Sequence, residues 1–92
     1  MTIYLVDGNY VRDNLDIEFC LGGNYGRYPK FIAPNEIWVE QTTDPTDLSE
    51  NVAHELYEYQ AMKGGLNYDQ AHARASAFEK ALRLIHEGKF HA

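Results

Sequence analysis

Four residues near the middle of the chain carry imidazole or carboxylate groups at a spacing that helices can bring together: His54, Glu55, Glu58 and His72. His54 and Glu58 are four residues apart, so on a helix they lie on one face about one turn from each other. Glu55 falls on the same flank, and His72 lies on a second predicted helix. If the two helices pack side by side, two imidazoles and one carboxylate converge, with a second carboxylate beside them.

Such a group of side chains can hold a metal ion and move a proton. Two imidazoles and one carboxylate are the protein donors of many open catalytic zinc sites, in which water takes the fourth position. We therefore predict one zinc ion with His54, Glu58 and His72 as its ligands. Zinc lowers the pKa of a bound water towards about 7. Glu55 is placed to act as general base, taking the proton of that water and passing it to a leaving amine.

A metal-free interpretation of the same residues remains open, because short motifs of this kind also arise by chance in acidic helices. In that interpretation Glu55 and Glu58 belong to a solvated helix face. His72 is then hydrogen-bonded to a carboxylate, for which Glu58 is a candidate.

The remaining polar residues of the second helix also allow more than one role. Glu79 either orients a ligand imidazole or forms an exposed ion pair with Arg83, four residues on. The ion pair is the slightly favoured alternative. His86 and His91 lie close to the end of the chain and are expected to be solvated.

Capping signals place the two helices. Residues 44–63 are predicted to form the motif helix, with Asp47 and Glu50 at the spacing of a capping box near its start. Residues 67–88 are predicted to form the second helix, capped by Asn67. A Gly-Gly pair follows the first helix, where the chain must turn into the left-handed region.

Residues 1–43 are predicted to be rich in β-structure. Alternation of apolar and polar residues and runs of strand-forming residues indicate strands and a return strand near residue 10. The predicted strands are 2–6, 15–21, 28–32 and 36–40. Strands followed by helices are typical of an α+β fold. We therefore predict a single domain over residues 1–92, with a small antiparallel sheet followed by two antiparallel helices.

Composition narrows the possible partners. The chain has 92 residues and a net charge of −6, which argues against a nucleic-acid backbone as ligand because phosphate binding requires a basic surface. No apolar run reaches the length of a membrane span, and no signal peptide is evident. Cys20 is the single cysteine, so no internal disulfide can form. A cytoplasmic protein is expected.

The segment His54-Glu55-Leu56-Tyr57-Glu58 resembles the metal-binding helix of the zincins, a family of zinc metallopeptidases. Their helical motif is His-Glu-x-x-His, with a third ligand further along the chain. In the gluzincin branch, which includes minimal single domains of about this length, that ligand is a glutamate from a following helix. Here the donors are exchanged: Glu58 occupies the place of the second motif histidine, and His72 that of the downstream glutamate.

The resemblance covers residues 36–83 and implies a hydrolase of peptide or amide bonds. It implies that His54 is a zinc ligand and that Glu55 is the general base. Zincins also place an edge strand before this helix, where it pairs with an extended substrate, and residues 36–40 correspond to it. A peptide or protein is the substrate that these features imply.

Two other functions remain open. In the first, the chain is a zincin relative without hydrolytic activity that keeps the metal site for stability. Alternatively it is a non-enzymatic acidic binding or inhibitor protein acting on a partner's basic surface, with an exposed strand edge at Trp38 and the aromatic loop 25–28 as its interface. The segment 68–72 resembles a pattern in small proteins of bacteria and phages, which fits either function. A homodimer or a protein partner could complete so small a cleft.

Overall fold

The computed structural model describes residues 1–42 and 44–88, and within them the chain forms three strands and three helices. In chain order these are β1 (Thr2–Val6), α1 (Gly8–Asn14), β2 (Gly22–Asn24), β3 (Glu36–Glu40), α2 (Pro45–Lys63) and α3 (Tyr68–His86). The predicted α+β class is confirmed, and the two long helices lie where the capping signals placed them. In the described part of the chain no helix combines the length and apolar character that crossing a membrane requires.

The sheet has the strand order β1-β3-β2. β2, a strand that the sequence did not predict, pairs with β3 in the antiparallel sense, with Gly23 opposite Trp38. β1, however, pairs parallel to β3, with Ile3 opposite Ile37. β3 is therefore the central strand, and the prediction that residues 36–40 form an edge strand open to a substrate or partner is wrong. Trp38 is only partly exposed and packs against the core.

The parallel pairing of β1 with β3 needs a long connection, and α1 lies within it. The dipeptide Asp7-Gly8 was expected to turn the chain into a return strand. Instead Asp7 is the N-cap of α1, and its side chain accepts hydrogen bonds from the backbone N–H groups of Asn9 and Tyr10. Val11 of this helix is buried in the core.

The strands predicted at 15–21 and 28–32 are not formed. These segments form turns instead, because local hydrogen bonds use the backbone groups that a sheet would need. The Asp16 side chain accepts from the Glu18 N–H, and the Ile32 N–H donates to the Tyr28 carbonyl. The resulting core cluster consists of Val11, Phe19, Tyr28 and Ile32.

The N-cap of α2 lies three residues before Asp47, the residue predicted to cap it. Asp44 is the N-cap, accepting from the N–H groups of Thr46 and Asp47, and Pro45 follows it. The capping box of α3 between Asn67 and Gln70 is present as predicted. At the Gly-Gly turn, Gly65 has a φ of 112° and supplies the left-handed residue.

α2 packs against α3, β2 and β3, yet its most buried side chains are polar. The 3.6-residue spacing of Leu48, Val52, Leu56 and Tyr59 predicts an apolar stripe that faces the core, yet these four residues are only partly buried. Glu50, Glu55 and Glu58 are buried instead. On α3, Ala71 and Ala75 are fully buried. An acidic face of α2 therefore lies inside the domain, and this face forms the site.

Candidate metal centre

The two helices bring the three predicted ligands together. Glu58 Oε2 lies 3.1 Å from His54 Nε2 and 3.0 Å from His72 Nδ1. One ligand atom from each of the three residues lies within 4.8 Å of the others. Glu58 is 2% exposed, so its carboxylate occupies the space between two imidazole rings and not a solvated surface. The metal-free prediction that Glu55 and Glu58 lie on a solvated face is wrong.

Local structure explains why these atoms meet. His54 and Glu58 are one turn apart on α2, which aligns their side chains. His72 is in the second turn of α3, and the Asn67 capping box fixes where that helix begins. Ala71, next to His72, is fully buried, and so small a residue lets α3 approach α2 closely. The ring of His72 is itself held by stacking on Tyr68, with 5.4 Å between the ring centroids.

The donor set fits a zinc ion. In a tetrahedral site with bonds of about 2.0–2.1 Å, ligand atoms lie about 3.3 Å from each other. The two contacts at Glu58 are close to this spacing. The side chain of His72 is 49% exposed, which leaves one side of the group open to the solvent. An open side is what a catalytic zinc site needs, because water or substrate must reach the fourth position.

In the absence of metal, hydrogen bonds hold the same group. The Glu58 carboxylate raises the pKa of His54, because the hydrogen bond between them favours the charged imidazole. Burial acts in the opposite direction. The metal-free interpretation of His72 as a partner of Glu58 therefore describes the same geometry, and both interpretations use the same atoms.

Glu79 faces His54 and not Arg83. Its Oε1 lies 3.3 Å from His54 Nδ1, although the two atoms are not aligned well enough for a hydrogen bond. Arg83 instead donates from Nε to both carboxylate oxygens of the buried Glu50, each at 3.2 Å. The favoured exposed pair of Glu79 with Arg83 is therefore wrong. The position of Glu79 is the one from which a carboxylate orients a ligand imidazole.

Two histidines lie near the end of the chain. His86 is exposed, as predicted, and its Nδ1 also lies 3.6 Å from Glu50 Oε1. His91 lies outside the described residues.

Among the carboxyl groups of the site, Glu55 is the one whose charge is least offset by neighbouring groups. It is 5% exposed, and its Oε2 has no hydrogen-bond partner among the described residues. Burial raises the pKa of Glu55 to about 8, and the neighbouring charge of Glu58 acts in the same direction. An ionised carboxylate at such a position needs a cation nearby. Carboxyls with strongly raised pKa values are also concentrated at functional sites.

Gly22 of β2 sets the place of Glu55. A Cβ atom at Gly22 would lie 2.7 Å from Glu55 Cγ and 2.8 Å from the backbone oxygen of Trp38. The glycines of the segment 22–26 were expected to supply positive φ angles, but among the described glycines only Gly65 and Gly88 have them. Glycine at position 22 instead permits Glu55 to pack closely against the strand, because it has no side chain in the way.

These groups line a cavity of about 350 Å³. His54, Glu55, His72 and Glu79 form one side, and loop residues that the sequence did not assign to this site form the other. The loop side includes Glu18, Cys20, Leu21, Arg27 and Tyr28. Nothing in their spacing indicates a common site, because turns without periodicity bring them together.

Comparison of the chain with protein-family models, with curated proteins and with solved structures found no match. What this chain does is therefore inferred from its own geometry and chemistry.

Proposed function

We propose that this protein is a zinc-dependent hydrolase of peptide or amide bonds, with His54, Glu58 and His72 holding the metal and Glu55 acting as general base. The observation that supports it most is the convergence of the three ligand atoms within 4.8 Å of one another, beside a buried and unpaired carboxylate. A bound zinc ion would supply a Lewis acid that polarises a carbonyl and lowers the pKa of water.

The protein side chains supply the remaining steps. Glu55 accepts a proton from the attacking water and later donates it to the leaving amine, the two roles of one general acid–base group. Its burial removes competing hydrogen bonds, and Gly22 and the β3 backbone keep it beside the ligands. Glu79 Oε1 lies 3.3 Å from His54 Nδ1, and a small rotation that completes this hydrogen bond would fix the orientation of the imidazole.

The raised pKa of Glu55 is compatible with the role of a base. A cation held by His54 and Glu58 favours the charged form of a neighbouring carboxyl and lowers its pKa. Without the cation, burial favours the neutral form. A bound cation would therefore favour the ionised form of Glu55, which is the form that accepts a proton.

The test is the substitution Glu55→Gln, which keeps the shape of the side chain and removes the ionisable group. We expect the variant to retain zinc and to lose hydrolysis of a fluorogenic peptide library by at least about 100-fold, the usual contribution of a general base. Asp69→Asn, an exposed position at the start of α3, is the matched control and should hydrolyse as the wild type does. Full hydrolysis by the zinc-loaded Glu55→Gln variant would exclude Glu55 as the base.

A further inference from the structure

We propose that Arg27 binds the free carboxylate of the substrate, so that the protein acts on short peptides or N-acyl amino acids at the bond next to a C-terminal carboxylate. The inference rests on the proposed function, because it assigns the substrate class to that site. It follows from the position of Arg27 in the cavity wall, from its unused hydrogen-bond donors and from the charges of the other lining residues.

Arg27 is held close to the metal ligands by aromatic rings. Its guanidinium carbon lies 5.0 Å from the ring centroids of both Tyr28 and Tyr68. Tyr68 in turn stacks on His72, with 5.4 Å between the centroids. Arg27 and His72 thus flank the same tyrosine ring and line the same cavity. A substrate held by one end at the guanidinium would therefore extend into the cavity that His72 also lines.

The guanidinium has donors to spare. Its one hydrogen bond to a carboxylate in the described chain joins Nη2 to Glu18 Oε2 at 2.8 Å. The Glu18 side chain is 67% exposed, and an ion pair so open to water is weak and easily exchanged. Arg27 Nε is buried without an acceptor among the described residues. A bound carboxylate that draws the guanidinium off Glu18 can accept two parallel N–H groups, the fork geometry that arginine favours.

Among the side chains of the cavity, Arg27 offers the one fixed positive charge to a substrate carboxylate. Glu18, Glu55 and Glu79 line the cavity, and Glu58 lies next to it. Arg27 is the single Lys or Arg among the described lining residues. Apart from the proposed metal, which would take the reacting carbonyl, Arg27 is therefore the group that attracts an anionic end of the substrate. A substrate with an amide in place of the terminal carboxylate offers the guanidinium no anionic partner.

The size of the cavity limits the substrate. A volume of about 350 Å³ lies at the small end of the range for ligand pockets. β3, the strand expected to pair with an extended chain, is covered on both sides by β1 and β2. Both observations favour a short substrate held by its end over a long peptide paired with a strand.

The experiment compares N-acyl dipeptides with varied terminal side chains, each offered as the free acid and as the C-terminal amide. With the zinc-loaded protein we expect kcat/KM at least tenfold higher for the acids. Arg27→Gln should lower this acid-to-amide ratio to about one, and Arg27→Lys should give an intermediate ratio because it keeps the charge without the fork. Arg74→Gln, at an exposed position of α3 outside this cavity, is the matched control and should keep the wild-type ratio.

A binding measurement separates the two proposals. Calorimetry of N-acyl amino acids and their amides with the Glu55→Gln variant reports carboxylate recognition without turnover. Tighter binding of the acids that is lost in Arg27→Gln supports the role of Arg27, even if no substrate is cleaved and the proposed hydrolysis fails. Equal binding and equal turnover of acids and amides, with zinc bound and hydrolysis present, would overturn the role of Arg27 and leave the proposed function intact.

Discussion

Glu55 lies against a strand that has no side chain at the point of contact. The Cβ atom of any residue other than glycine at position 22 would press on Glu55 Cγ and on the backbone oxygen of Trp38. The carboxylate could move, but the backbone of the central strand cannot do so without disturbing the sheet. The position of the proposed base is therefore fixed by a neighbour that has no chemistry of its own.

We expect Gly22→Ala to lower the free energy of unfolding by about 1–3 kcal/mol, the usual cost of overpacking a dense region. Gly64→Ala is the matched control: Gly64 has a φ of −80°, and the nearest atoms to its added Cβ are 3.5 Å away. That change should be neutral or stabilising by up to about 1 kcal/mol. Urea unfolding of the metal-free variants measures both. Equal effects at the two positions would contradict the packing argument.

Between α2 and α3, polar side chains meet in three successive layers. His72 meets Glu58, Glu79 meets His54, and the third layer joins Glu50 with Arg83 and His86. On α3, the contacting residues His72, Glu79 and His86 are seven positions apart. Their partners on α2 are four positions apart. Interior carboxylates are stable only when paired, which accounts for a cationic or imidazole partner in each layer.

The layer at Glu50 makes a prediction about pH. Arg83 holds the pKa of the Glu50 carboxyl below its usual range. The ionised form is therefore stabilising above the unfolded-state pKa of about 4.3, and this stabilisation is lost as the pH falls through the lower folded-state pKa. Glu50→Gln cannot ionise. Its deficit in unfolding free energy against the wild type should be largest near neutral pH and should shrink in acid.

Urea unfolding of the wild type and Glu50→Gln across this pH range measures that difference. Arg83→Gln removes the partner and should flatten the pH dependence of the wild type in the same region. A deficit of Glu50→Gln that stays constant down to strongly acidic pH would show that the pair contributes packing alone.

The two long helices could be predicted because their signals are local. Asn67 with Gln70 and the Gly-Gly turn mark helix ends through contacts between near neighbours. The inward-facing side of α2 could not be predicted from hydropathy, which placed the apolar stripe inside. Burial of Glu50 and Glu58 depends on partners from α3, and burial of Glu55 on packing against Gly22, all of which lie far away in sequence.

In the molecule as a whole, the small mixed sheet packs against α2, one of the two long helices. The first half of the chain was predicted poorly because its apolar residues serve loops: Phe19, Tyr28 and Ile32 anchor turns where alternation indicated strands. Arg27 enters the cavity on such a turn, and no periodic pattern marks it. The convergence of His54, Glu58 and His72 was predictable because spacing on two helices is enough to align them.

The proposed site joins α2 to α3, so zinc bound there would stabilise the folded chain by mass action. We expect the melting temperature to rise with added zinc and to fall in chelator. His72→Ala, which removes one ligand, should abolish that shift. An unchanged melting temperature across zinc and chelator would contradict the linkage.

Zinc stoichiometry, measured by elemental mass spectrometry on protein dialysed against trace zinc, tests the central claim most directly. We predict one zinc ion per chain in the wild type and in His86→Ala, a control on the same helix that contacts Glu50 and not the ligand group. His54→Ala and His72→Ala should retain less than about a tenth of it, as the loss of one of three protein donors implies. A folded wild type without zinc, or equal zinc in all four proteins, would contradict the account.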